Sequence, residues 1–197
     1  MLQDFRWQGF SKVSKMKKTL LPIIFLALIA GLQAQTINYT PIGHFHTPYT
    51  TEIGAPRQGS LSPDSTGFIV LDSTYRDALS MLDWFEYIIV IFHFDKVRSW
   101  ESYVEPPGSN HEHNFGVFST RSPKRPNPIG FTIVKLDYIA VDTLFLSGVD
   151  AFDETPVLDI KPYLPSVDII HSPQNELIEI EFGHHDKDFI NDSTFYR

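Results

Sequence analysis

Residues 86–94, EYIIVIFHF, restrict the fold more than any other stretch of this chain. β-Branched and aromatic side chains run through the segment with few polar interruptions. Such a run fits a central strand buried on both faces. Its surroundings are of the same kind. Sixteen Phe, eight Tyr, three Trp and 14 Pro point to strands and rigid turns rather than a helix bundle. A length of 197 residues suits one ordinary domain, and 42% hydrophobic content excludes wholesale disorder. Cysteine is absent, which excludes disulfides, cysteine-ligated zinc, iron–sulfur clusters and a cysteine nucleophile.

Further strands are expected around that central run. Residues 37–45 suggest an opening strand, and residues 68–71 a short one. Between them Pro48, Pro56, Gly59, Pro63 and Gly67 break the chain into a structured loop. Residues 76–84 place Ala78, Leu79 and Leu82 on one side of a short helix. Residues 116–120 read as a short strand, followed by Pro123, Pro126 and Pro128, which forbid a regular ladder. Residues 131–141 and 144–149 look like two strands joined tightly around Asp142. Their partial alternation fits a layered or closed sheet. Residues 157–160 form a further strand between Pro156 and Pro162, and the alternation in residues 177–182 (LIEIEF) predicts an amphipathic strand near an edge. The last residues read as a surface tail. No internal repeat is present, and the whole reads as one strand-dominated domain over residues 36–170, followed by a C-terminal strand and tail over residues 171–197.

The first 35 residues are of another kind. Residues 1–15 read as an upstream extension, with Met16 as the start of translation. From Met16 the chain reads MKKTLLPIIFLALIAGLQAQ, with two lysines, an apolar stretch from Leu20 to Leu32, and small or polar residues around Ala34. This is the layout of a secretory signal peptide; a membrane-spanning helix needs about 20 apolar residues, and an uncleaved anchor is the alternative. The expectation is cleavage after Ala34 and export to the periplasm or cell exterior. Residues 36–197 carry 11 basic and 23 acidic side chains, a net charge of −12. A field of that sign opposes nucleic-acid binding at long range, though one basic patch can still act locally.

Such a patch exists in residues 120–130, TRSPKRPNPIG. Arg121, Lys124 and Arg125 are interleaved with prolines, so guanidinium groups held there can face an anionic ligand at low ordering cost. Asn127 adds an amide to this substrate-facing loop. A proline-stiffened turn with solvated charges explains the same residues. Arg57 and Gln58 form a second polar pair, and Asp150 and Asp153 flank an aromatic at a strand end. His44 with His46, and His111 with His113, have alternating spacing that could converge on a metal, but nothing in the sequence joins the pairs and no metal site is assigned. A serine-hydrolase elbow, a phosphate-binding glycine loop and a dinucleotide fingerprint are absent.

Taken in order, IGHFHTPY, PRQG, GVFSTRSPKRPNPIG and GVDAFDETPVLDIKPYLPSVD resemble the successive motifs of the TsaA-like family, over about residues 42–168. Its best-known members are tRNA methyltransferases acting on N6 of threonylcarbamoyladenosine at anticodon position 37. The resemblance implies a small, mainly β, closed or partly closed barrel-like domain with a short helix. It also implies a homodimer that binds S-adenosylmethionine without a wound α/β fold. The cofactor-site positions it implies are Pro56, Arg57, Gln58, Asp95, Lys96, Arg121, Phe131, Asp150, Ala151, Phe152 and Asp153. For a proton acceptor, Asp150, Tyr87 and Asp95 stand as alternatives.

The chain departs from the family pattern at particular places. Tyr87 and Ile89 replace a histidine and a tryptophan, Asp95 replaces a histidine, and Glu105 and Gly108 replace two arginines. The family's DGTP turn reads Asp153, Glu154, Thr155, Pro156. These changes, the acidity and the export segment set two further readings beside a tRNA methyltransferase. One is an exported paralogue that binds a small ligand without tRNA methylation; the other is an envelope interaction module.

Overall fold

The computed structural model describes residues 36–105 and 115–181, with side chains described to residue 178. The chain divides into Met1–Asn38 and Tyr39–Arg197. Of the first unit only residues 36–38 are described, and they are exposed and without regular structure. The signal-peptide pattern, the His111/His113 pair and the C-terminal tail lie outside the described residues.

The described residues of the second unit form eight strands: β1 (Gly43–His46), β2 (Thr66–Leu71), β3 (Tyr87–His93), β4 (Tyr103–Val104), β5 (Phe115–Gly116), β6 (Ile129–Ala140), β7 (Thr143–Ser147) and β8 (Pro156–Pro162). Six of them close into an antiparallel barrel in the order β1-β2-β7-β6-β3-β8, with β8 pairing back to β1. β4 and β5 form a separate two-stranded ribbon. The sequence pattern explains the wall. Along β6, Gly130, Thr132, Val134 and Leu136 are buried at every second position, so one face of a period-2 strand fills the barrel. In β3, Ile88, Val90 and Phe92 are buried inward and Ile89 is buried on the other face, as the unbroken apolar run requires. Phe45, Ile69, Ile88, Val90, Val134, Leu144, Leu146 and Val157 are shielded almost completely, and Phe45 meets Phe92 edge-on at 5.7 Å between ring centroids.

Three local expectations are corrected. Residues 76–84 are not one helix but two 3-10 turns, Ser73–Leu79 and Leu82–Trp84, broken at Met81 with a φ of 64°. The stretch is too short to repay helix nucleation, and it is anchored by Leu79 and Leu82 packing against the core. The strand expected over residues 116–120 stops at Gly116, where a 3-10 turn Val117–Ser119 begins. The carbonyl of Val117 is taken by the Thr120 hydroxyl (3.0 Å) and by Arg125 (3.1 Å), which leaves it unavailable to a ladder. Of the strand expected over residues 177–182, residues 177–181 are instead part of a helix. After a single turn α1 (Pro165–Asp168), α2 runs over Pro173–Glu181 with proline at its first position. The closed barrel offers no free edge for a further strand, so alternation in LIEIEF finds no place in its wall.

Candidate functional site

Antiparallel connectivity sends alternate loops to the same end of the barrel. The β1–β2, β3–β6 and β7–β8 connections all leave from the end marked by His46, His93, Ser147 and the start of β6. Every cofactor-site position implied by the sequence motifs lies in or beside these connections. Four segments far apart in the chain therefore meet at one rim.

The best-formed part of the rim surrounds Asp150. Gly148, with a φ of 76°, turns the chain out of β7 in a left-handed conformation suited to glycine. Ser65 pins that turn, accepting from the Gly148 N–H at 2.7 Å and donating its hydroxyl to the Val149 carbonyl at 2.8 Å. Gly59 packs against it so closely that a Cβ would stand 1.8 Å from the Gly148 carbonyl oxygen. The absence of a side chain there lets the Gly59 N–H donate to Asp150 Oδ2 at 2.8 Å. Asp150 Oδ1 is buried with no hydrogen-bond partner. Burial pushes the Asp150 carboxyl up to about 6, against the opposing pull of the Gly59 N–H, the Thr132 hydroxyl and the Arg121 charge. Arg121 itself is held from the side: its Nη1 donates to Gln58 Oε1 at 2.5 Å, while Gln58 Nε2 donates to the Arg57 carbonyl at 2.7 Å. Gln58, Gly59, Arg121, Thr132 and Asp150 thus form one polar constellation. Sequence reasoning missed Gly59 and Thr132. Thr132 could have been found from alternation, because an inward threonine in an otherwise apolar β6 stripe calls for a polar partner.

The other expected positions have different surroundings. Pro56 is buried and Arg57 half-buried, next to Gln58. Asp95 follows β3, with Oδ2 2.6 Å from Lys96 Nζ and Oδ1 buried without a partner. Phe131 stands on the outer face of β6, 44% exposed, across the wall from Thr132. Ala151 and Phe152 are buried, and the Ala151 carbonyl accepts from the Thr47 hydroxyl at 3.0 Å. Asp153 turns toward β1, where its Oδ1 accepts from the Thr47 N–H at 3.2 Å. Of the substrate-facing loop, Lys124 pairs with Glu101 at 2.7 Å and Arg125 donates to the carbonyls of Thr120 (2.7 Å) and Val117 (3.1 Å) while lying over the Phe118 ring. Both cations fasten the loop; Asn127 is exposed. Tyr87 is corrected as a candidate base. It opens β3 and pairs with Lys135, whereas Asp95 lies beyond the other end, where His93 pairs with Ile129. Six residues of strand separate the two ends, about 20 Å.

Among the described residues, then, the chain is mainly β, a closed barrel whose rim carries a buried carboxylate, an arginine and an amide, an arrangement suited to a polar small ligand and unlike a wound α/β cofactor fold. The family model described as tRNA-methyltransferase O N-terminal domain matches residues 44–169, and the chain belongs to that family. A probable S-adenosyl-L-methionine-binding protein of Pyrococcus abyssi is 39% identical over 133 residues, 68% of this chain and 71% of that protein. The mouse tRNA (adenine(37)-N6)-methyltransferase is 38% identical over 161 residues, 79% of this chain but 36% of the mouse protein. The crystal structure of TrmO from Pseudomonas aeruginosa superposes with a TM-score of 0.58 at 33% identity, covering 72% of this chain and 62% of that one. The chain therefore spans only part of the larger relatives.

Proposed function

We propose that this domain is an S-adenosylmethionine-dependent N-methyltransferase acting on N6 of threonylcarbamoyladenosine at tRNA position 37. The observation that carries the reading is the buried, unpartnered Oδ1 of Asp150 beside Arg121, at the rim where the family motifs meet. A buried carboxylate oxygen without a donor is costly unless a ligand supplies one. The residues fit the cofactor: a carboxylate for hydroxyl or ammonium donors and a guanidinium for a carboxylate. S-Adenosylmethionine, when bound, supplies a methyl group already activated on a sulfonium.

The chain's own task is placement. Gln58 holds the Arg121 guanidinium against the rim, so it meets an anionic group without first losing its rotamer freedom. The Gly59 N–H fixes one oxygen of Asp150 and leaves the other to the ligand. Above about pH 6 Asp150 is ionised and ready to receive donors. For the proton released by the acceptor nitrogen, Asp95 offers its unpartnered Oδ1 at the same end of the barrel. Homodimerisation, with the rim near the interface, belongs to this reading.

A second reading has its own support. The pattern from Met16 to Ala34, the net charge of −12 over residues 36–197, and the inward engagement of Lys124 and Arg125 favour an exported paralogue that binds a small ligand without tRNA methylation. Radiolabelled methyl transfer from S-adenosylmethionine to threonylcarbamoyl-modified tRNA separates the two. Transfer by the wild-type chain, lost in Arg121→Ala, supports the methyltransferase; cofactor binding without transfer supports the paralogue.

A further inference from the structure

His46, Asp153 and Glu154 form a second cluster, at the point where the β7–β8 turn crosses the end of β1. His46 closes β1 and its ring lies flat on Phe68, its cross-strand partner, with centroids 5.0 Å apart and planes at 27°. That stack fixes the ring so that Nδ1 faces the turn, 3.3 Å from Glu154 Oε1 and 3.6 Å from Asp153 Oδ1. All three candidate ligand atoms lie within 4.8 Å of one another.

The Asp153 carboxylate and the backbone of both acids are held independently of any ion. The Asp153 N–H donates to the Tyr49 carbonyl at 2.8 Å, the Glu154 N–H to the Phe45 carbonyl at 2.9 Å, and the Thr47 N–H to Asp153 Oδ1 at 3.2 Å. Both acids are thus tied to the strand that carries the histidine. Glu154 adopts a φ of 62°, a left-handed conformation that is unfavourable for any residue with a Cβ. The turn it occupies is the one that resembles a D-G-T-P motif, in which glycine would bear that conformation without strain. A glutamate kept there trades backbone comfort for a carboxylate aimed at His46.

When Nδ1 carries no proton, its lone pair and the two carboxylate oxygens converge on one point that a cation can fill. We propose that His46, Asp153 and Glu154 bind a divalent first-row transition ion such as zinc, through one nitrogen and two oxygens. Tetrahedral coordination with bonds of about 2.0–2.1 Å puts neighbouring ligand atoms about 3.3 Å apart; the His46–Glu154 separation is already 3.3 Å, and the 3.6 Å to Asp153 has to close by a few tenths of an ångström on binding. An imidazole ligand disfavours calcium and magnesium, which take oxygen. The side chains are 31%, 43% and 62% exposed, leaving water to complete the coordination. The ion would clip the β7–β8 turn to β1, and this holds whether or not the rim binds the proposed cofactor.

The test is titration calorimetry of the full chain with zinc chloride after chelator treatment. Seven other histidines are present in the chain, so the readout is a difference in stoichiometry between variants. His46→Asn and Glu154→Gly should each bind one zinc equivalent fewer than wild type and lose the zinc-dependent rise in melting temperature at this site. Glu154→Gly relieves the backbone strain, so its loss of zinc is not a folding defect. Undiminished stoichiometry in either variant, or no zinc bound by wild type, overturns the proposal.

Discussion

Replacing Asp150 with asparagine removes a carboxyl whose ionisation the fold resists. Its value rises from 3.8 to about 6, chiefly through burial. At about 1.36 kcal/mol per pH unit this amounts to about 3 kcal/mol. A carboxyl that holds its proton more tightly when folded favours the fold below the unfolded value, and that contribution is lost as pH rises through the folded value. Wild-type stability should therefore fall by about 2 kcal/mol between pH 4 and pH 6.5 relative to Asp150→Asn, with most of the loss above pH 4.5. Urea denaturation of both proteins at half-unit pH intervals gives the difference directly, since charges common to both cancel. Only the pH dependence of the difference matters, because asparagine brings an amide of its own into the site. Parallel stability profiles across this range would refute the burial of the Asp150 carboxylate, and with it the physical basis of the proposed cofactor site.

Gly59→Ala should cost about 3 kcal/mol in urea unfolding, because its Cβ meets the Gly148 carbonyl at 1.8 Å and one backbone must move. Arg125→Ala should cost about 1.5 kcal/mol by the same assay, since the Thr120 carbonyl loses its charged donor while Val117 keeps those of Thr120. S-Adenosylmethionine affinity measured by calorimetry should increase from pH 5 to pH 7 as Asp150 ionises, and a flat profile would remove that carboxylate from the site. Mass spectrometry of the chain from its native host should find a mature N-terminus near Gln35, and an intact N-terminus in the cytosolic fraction would remove the argument for export.

The strands were legible wherever local pattern and burial coincide. β3 stood out as an unbroken apolar run, β6 and β7 as alternating runs around Asp142, and β8 as a segment between two prolines. Barrel closure was not readable from those patterns, because β2 with β7 and β3 with β8 join segments about 70 residues apart. It entered only through the motif resemblance. Period-2 alternation misled in LIEIEF because it reports a face to be buried and not the presence of a sheet to bury it. Among the site residues, Gln58, Arg121 and Asp150 were named from motifs, and the structure brings them together. Lys124 and Arg125 were read as ligand-facing from their charge in a proline-stiffened loop, whereas the Thr120 and Val117 carbonyls engage Arg125 and Glu101 pairs with Lys124. Glu154 was visible as a departure from a glycine turn, yet its meeting with His46 depends on a pairing across more than 100 residues.

The central claim is that Gln58, Arg121 and Asp150 hold S-adenosylmethionine at the rim of the barrel, and calorimetric titration of the wild-type chain beside Arg121→Ala at pH 7.5 tests it most directly. The account predicts saturable one-to-one binding per chain by the wild type. Loss of the guanidinium that pairs with the cofactor carboxylate should weaken it by at least about tenfold, the loss of a charge-assisted hydrogen bond worth about 1.5–3 kcal/mol. No binding by the wild type, or equal affinity in the two proteins, would contradict it.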